Sequence, residues 1–528
     1  MKRTIKSAIA VFLCCLLCGC SVSEESRAEH NEETQLTFSE QPDIMSAEIP
    51  VLSIVTANGK NDFAEKPVSE FVSKQIASWT PGYVIPPAPY YEDCKISLKE
   101  GNNTLIDSAE ASVKVRGNWT TNYSKKPFRI KFAEKQSMLD LNGGEAFKNW
   151  VLLAEYKDAS MLRNKSSLEL SREILGKDGL YASDSAFVDV EINGEYWGVY
   201  LLAEYQQVNE GRIDITEPIN NYSGVDIGYL LEFDGNFINE EPLYQFHVDY
   251  HNNAELKPFD GNDGSGRTIR CLPLLKNDPK KDIGFTIKSD IVTREQHDFI
   301  ASFVNNVYNI MYEAAYYDKA FIFNEDYSEI IESDDLTPQE AVERVVDVNS
   351  LADMYIISEL TCDADLYWSS FFMTVDFGEN GNRKLIFQAP WDFDSALGNK
   401  SRCPDGKGFY ASNIIPDVNG DTYETINPWL AVISYEDWYR ELISQKWTEI
   451  YDSGAFDRVS EMIAADTIHY KDAFLRNNER WGISTEDYSV IGELSANALK
   501  CKTQEAAAVY LDEWLQSRVD FLTDYWHK

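Results

Sequence analysis

Beyond its first twenty residues the 528-residue chain has few histidines, no clustered cysteines and no apolar run long enough to cross a bilayer. Its six histidines form neither HExxH nor any cluster. After residue 20 the cysteines are Cys94, Cys271, Cys362, Cys403 and Cys501, far apart, odd in number and without a CxxC pair. That spacing argues against a zinc site and a disulfide scaffold; they read mainly as buried thiols, with one or two disulfides left open. Positive charge is scarce as well, with 48 Lys and Arg against 87 Asp and Glu and a formal net charge of −39. Such a surface repels phosphate backbones, which argues against a nucleic-acid role, and favours cationic partners such as a basic protein or a metal ion. Also missing are GxxxxGKS/T, a full GxGxxG and the HRD triplet. A P-loop enzyme and an ordinary protein kinase are thereby excluded at the motif level.

What is present begins with a leader. "MKRTIKSAIAVFLCCLLCGC" has a basic start (Lys2, Arg3, Lys6), a short apolar run and small residues before a cysteine, the layout of a secretory signal. Its end, "LCGC", resembles a bacterial lipobox, which makes Cys20 the lipidated first residue of the mature chain. An ordinary signal peptide or an uncleaved anchor are the alternatives. The expected location is extracytoplasmic, with the membrane reached through the N-terminal lipid only.

Composition and patterning divide the rest. Residues 1–19 read as signal peptide and 20–45, polar and acidic, as a flexible tether. Residues 46–233 are β-rich: "IPVLSIVT", "CKISLKEGNNTL", "ASVKVRGNW" and "KPFRIKFA" alternate in polarity and are joined by Gly/Asn turns, which predicts antiparallel strands. "AFVDVEIN" and "YWGVYLLAEY", split by "NGE", predict a hairpin, and "IGYLLEFD" a further strand. Within this part, "DASMLRNKSSLELSREIL" predicts a helix with Asp158 as its N-cap. Residues 234–283, rich in Asp, Asn, Gly and Pro, read as an irregular insertion. Residues 284–528 turn helical, save for a hairpin of "SSFFMTVD" and "RKLIFQAPWD". The fold class expected is α+β, β-rich first and helical second.

Chemistry concentrates in three stretches. "VRGNWTTNYSKKPFRIKF" places a glycine turn before Lys125, Lys126, Arg129 and Lys131, a grouping of cations that suits phosphate oxygens but would equally serve as a solvated hairpin face. "ELTCDADLYWSS" carries Asp363 and Asp365 just past a helical pattern, where they could act chemically or merely cap a turn. "APWDFDSALGN" carries Asp392 and Asp394 at i and i+2 on a segment that reads as extended. Side chains so spaced point the same way, and two buried like charges need a counter-ion. Mg²⁺ or Mn²⁺ suits these hard oxygens, with Ca²⁺ as the less favoured metal; solvated acids at a strand end are the alternative. Together the stretches make the inventory that phosphoryl transfer needs: cations for phosphates, acids for a metal, and an acid near the incoming hydroxyl.

In these stretches, and in "NWVLLAEYKDASMLRNK", "VEINGEYWGVYLLAEYQQVNEGRIDI", "GYLLEFD" and "NPWLAVI", the chain resembles the CotH family, atypical protein kinases first associated with spore-coat proteins. The likeness runs over roughly residues 48–525. It implies a reduced, kinase-like fold of two lobes that uses ATP and a divalent metal to phosphorylate Ser or Thr of a protein, here a basic, Ser-rich one. Carried over, Arg116, Gly117 and Asn118 form the phosphate-side turn, and either Lys125 or Lys126 contacts the α/β phosphates. Glu204 sits where a hinge meets the adenine. Asp158 and Arg163 act structurally or on the ATP side. Asp365 accepts the hydroxyl proton or orients the hydroxyl, and Asp392 binds metal with Asp394 as second ligand or helper. Where a kinase has a metal-binding Asn, this chain offers Ser369 or Ser370. A catalytically weak or inactive surface protein that binds a protein or glycan is the rival expectation.

Overall fold

The structure is a computed structural model. It describes Phe38 and residues 48–528, less 257–268, 271–282, positions 118 and 364, and several positions within 69–89 and 402–426. The expected leader, Cys20, nearly all of the expected tether and Asn118 lie outside the described residues.

Seven strands close into a barrel: β1 (Val51–Thr56), β2 (Glu92–Glu100), β3 (Asn103–Val115), β4 (Phe128–Gln136), β5 (Phe147–Leu153), β6 (Ser185–Ile192) and β7 (Glu195–Glu204), in the order β1-β2-β3-β4-β5-β7-β6. The pairs are antiparallel as expected, except that β1 and β6 close the ring in parallel. The β6–β7 turn is the two-residue Asn193–Gly194 with both φ positive (52° and 78°), the primed geometry that a tight hairpin needs. The barrel interior holds Leu52, Ile54, Ile96, Leu98, Val113, Ile130, Trp150, Leu152, Val190 and Leu202. β5 and β7 are apolar on both faces because Val151, Leu153, Val199, Leu201 and Ala203 belong to a second core, shared with the helices.

That second core is organised by helix Val348–Thr361, in which every residue from Ser350 to Thr361 is buried. An antiparallel sheet lies in the same core. Its order is Ile386–Phe387, Phe371–Asp376, β8 (Gly228–Asp234), Gly284–Ile287 and Gln245–Phe246. The predicted acidic hairpin is thus real, and β8 completes it from far earlier in the chain. No helix among the described residues is long and apolar enough to cross a membrane.

The expected α+β character is therefore present, but the resemblance's two-lobed kinase arrangement is not evident: the β-rich part is a closed barrel. Closure depends on pairing Val51–Ile54 with Asp189–Ile192, a contact between distant segments that no local pattern encodes. Helix Lys471–Trp481 straps the barrel, with Arg476 Nη2 2.8 Å from Asp189 Oδ2 and Asn477 Oδ1 accepting from Val199 N at 3.2 Å.

Candidate active site

The strand that precedes Asp392 and Asp394 is short. It ends at Phe387, and Phe393–Ser395 forms a single 3₁₀ turn entered through Asp392 in the left-handed region (φ 70°). The extended geometry expected for the two acids is thus replaced by a tight turn. Buried groups hold that turn in place. Asn164 Oδ1 accepts from Phe393 N at 2.8 Å, Arg163 Nε donates to Leu397 O at 3.3 Å, and Asn399 Nδ2 donates to Asp394 O at 2.7 Å. Leu397 N donates to Thr361 O at 2.8 Å, which pins the turn to the end of helix Val348–Thr361.

That helix stops at Cys362 and delivers the other acidic loop. Asp363 is fully buried and its Oδ1 accepts from Asp365 N at 3.1 Å; its Oδ2 has no hydrogen-bond partner among the described residues. Burial raises the Asp363 carboxyl well above the usual carboxylate range, and the charges of Asp365, Asp394 and Asp392 raise it further. Asp392 is pushed up to about 7 by burial, then by Asp394 and Asp365, with Arg116 and Lys157 pulling the other way. Asp394 is also raised by burial, against the pull of Lys157. Four carboxylates from two loops therefore share one electrostatic field, and a turn rather than a strand gathers Asp392 and Asp394.

Lys157, Arg116 and Lys400 reach this field. Lys157 is 5% exposed, and its Nζ lies 3.3 Å from Asp394 Oδ1, 2.5 Å from Ser395 Oγ and 3.7 Å from Glu493 Oε2. Burial alone would lower its pKa, but Asp394, Asp365 and their neighbours outweigh it and keep the ammonium charged. Arg116 stacks its guanidinium over Trp391 at 5.5 Å and lowers the Asp392 carboxyl. Beside it Gly117 has φ +90°, and a Cβ there would come 2.3 Å from Thr120 Oγ1, so the turn requires glycine.

The family model described as "CotH kinase protein" matches residues 113–522. The chain belongs to the CotH kinase family. No curated protein matches it.

Of the positions that resemblance to the CotH kinase family assigns, Asp365, Asp392, Asp394 and Arg116 come together. Asp158 and Arg163 are buried beneath them: the Asp158 carboxylate accepts from Leu162 N, Arg163 N and the Arg163 guanidinium. Helix Arg163–Leu175 thus has Leu162 at its N-cap position, and the expected Asp158 cap works from outside it. Glu204 is committed to Arg212 Nε at 2.9 Å, Asn142 Nδ2 at 3.0 Å and Asp184 N at 3.1 Å, so its carboxylate is saturated by protein groups.

Neither lysine expected at the phosphates faces the acids. Lys126 points to Glu65 at 3.7 Å. Lys125 is buried, donates to Val199 O and, at 2.9 Å, to Asn477 Oδ1, and lies over the Tyr200 ring. The cation that does touch an acid of the site is Lys157, which sequence reasoning passed over. Its signal was an isolated lysine between an apolar strand and the helix-start motif in "LLAEYKDAS". Asn164 was missed too; it bridges the turn to buried Glu155, donating to Oε1 at 3.0 Å.

Burial pulls the Lys125 ammonium down to about 7, against Glu155 and Asp189. An unfolded lysine titrates near 10.4, so between pH 7 and 10 the unfolded chain binds the extra proton. Stability should therefore rise with pH across that window through this residue. Thermal melts of wild type and Lys125→Met should show the rise flattened in the variant; parallel curves would mean that the amine stays charged inside.

Among the described residues, no group of three or more His, Cys, Asp or Glu side chains forms a ready metal cage. The donors nonetheless fit a hard cation held by few protein ligands: carboxylate oxygens, one of them the orphaned Asp363 Oδ2. Mg²⁺ is commonly held by one or two carboxylates, with substrate phosphates and water completing the shell.

Proposed function

We propose that this protein transfers the γ-phosphate of ATP to Ser or Thr hydroxyls of a protein substrate, outside the cytoplasm, tethered through lipidated Cys20. The observation that carries this reading is the meeting of the Asp363–Asp365 loop with the Asp392–Asp394 turn beside Lys157 and Arg116. Asp392 and Asp394 would hold Mg²⁺ or Mn²⁺, which when bound neutralises phosphate charge. Arg116 brings positive charge to the phosphate side through the Gly117 turn. Lys157 holds Asp394 in place and balances part of its charge. Asp365, half-buried, would accept the proton of the substrate hydroxyl or orient it. A negative protein surface draws in a basic, Ser-rich substrate.

A second reading, a kinase-like binding protein with little or no activity, draws support from one feature. Ser370, standing where a metal-binding Asn is expected, is buried and its N donates to Glu232 Oε1 at 3.1 Å. Melting the protein with ATP and Mn²⁺ separates the readings. The active form should gain several degrees and incorporate label from γ-labelled ATP into a Ser- and Lys-rich peptide. Lys157→Met should lose both, whereas Lys126→Met should keep both. No nucleotide-dependent shift in the wild type would overturn the kinase reading, and a shift without transfer would favour the second.

A further inference from the structure

Cys362 closes helix Val348–Thr361 in a left-handed conformation (φ 46°) and leads straight into the Asp363–Asp365 loop. Cys403 lies on the segment that follows the Asp392–Asn399 turn. The two side chains are 3% and 1% exposed. Cys362 Sγ lies 3.2 Å from Glu359 O, Cys403 Sγ lies 3.4 Å from Lys407 O, and the two thiols are in hydrogen-bonding contact with each other.

One helix, Gln504–Trp526, grips both segments. Arg518 Nε donates to Glu359 O at 2.8 Å, Arg518 Nη1 to Gly406 O at 3.2 Å, and Trp514 Nε1 to Cys403 O at 2.7 Å. The meeting of the thiols is therefore built into the core. Cys94 lies in the barrel interior and Cys501 packs beside Ala159, each in a different cluster.

We propose that Cys362 and Cys403 are a modification site, oxidised to one intramolecular disulfide that ties the helix end bearing the Asp363–Asp365 loop to the segment after the Asp392–Asp394 turn. The oxidant is an external disulfide, either oxidised glutathione or a thiol–disulfide oxidoreductase, in the extracytoplasmic location proposed above. Cys403 attacks it first: contact with Cys362 outweighs burial and, with Arg518, lowers its thiol. One external sulfur leaves as a thiolate and a mixed disulfide forms. The Cys362 sulfur then attacks Cys403 Sγ and displaces the second external thiolate. Two electrons pass from the cysteine pair to the external disulfide, and the two thiol protons end on its two leaving sulfurs. Closure shortens the contact to the ~2.05 Å bond length. Burial sets the order of events: the sulfurs are reachable while the chain folds, and the finished bond is shielded from reductant.

The test refolds the purified protein from denaturant in mixed reduced and oxidised glutathione, alkylates the remaining thiols and digests without reduction. Most molecules should yield a linked peptide pair joining Cys362 to Cys403. Reduction should lower the thermal midpoint by about 3 °C in the wild type and leave Cys362→Ala/Cys403→Ala unmoved. Recovery of both cysteines fully alkylated, or of Cys403 linked to another cysteine, would overturn the proposal. Mass and melting report the bond whether or not the protein transfers phosphate, so failure here is distinguishable from failure of the kinase reading.

Discussion

Asp392→Asn should abolish phosphoryl transfer while leaving the metal-free protein as stable as the wild type at pH 8, or more stable. The two effects have opposite signs because the same charge does two things. In the metal-free fold, burial and the neighbouring carboxylates hold Asp392 at about 7, far above the ~3.9 of an unfolded aspartate. The folded chain therefore binds the extra proton between about pH 4 and 7, and stability falls as pH rises through that window. By pH 8 the ionised group costs on the order of 1–3 kcal/mol, a figure reduced for its partial exposure, and asparagine removes that cost. With nucleotide and Mn²⁺ the ledger should reverse: in the proposed kinase the carboxylate would be a metal ligand, and its loss would remove several kcal/mol of charge stabilisation, roughly a thousand-fold in rate. The measurements are the rate of label transfer and melting curves at pH 5 and 8, each with and without Mn²⁺–ATP. A variant that melts well below the wild type without metal would show Asp392 to be structural.

The sequence showed the site's parts more clearly than their arrangement. Alternation and turn chemistry were enough to read the β6–β7 and acidic hairpins, because both are local. Barrel closure was not legible, since β1 and β6 pair from distant parts of the chain, Val51 with Asp189. At the site, the loop acids were readable as buried like charges needing compensation, and that argument holds although Asp392 and Asp394 sit on a turn. The lysines show where charge counting fails. Lys125 and Lys126 are conspicuous as neighbours in sequence, yet the first fills a gap between the barrel and helix Lys471–Trp481, and the second faces Glu65. Lys157 is inconspicuous in sequence, and only its burial against Asp394 marks it out. Density of cations along a chain reports surface as readily as site, whereas a single buried cation must have an anion beside it.

Arg518→Met should be the most damaging single change to stability, about 3–5 kcal/mol, seen as a fall of about 3–5 °C in the thermal midpoint. Arg518 and Glu359 are both fully buried, with Nη2 2.7 Å from Oε2. The guanidinium also donates to the carbonyls of Glu359, Gly406 and Gly408, while the Glu359 carboxylate accepts from Tyr410 N and Ala411 N. Methionine fills the space but takes one donor from each of three carbonyls and leaves a carboxylate without its counter-charge. Burial already raises the Glu359 carboxyl and Arg518 draws it back, so removing the arginine raises it further. The deficit should then shrink as pH falls and Glu359 takes up a proton. Glu359→Gln in the Arg518→Met background should recover part of the loss, because a neutral amide needs no counter-ion. Activity should fall with stability in the single variant, since this pair joins the helix that leads into Asp363 to the segment that follows Asp394. A loss below about 1 kcal/mol, unchanged between pH 5 and 8, would mean that Glu359 is protonated in the wild type and that hydrogen bonds rather than charge hold the two acidic loops together.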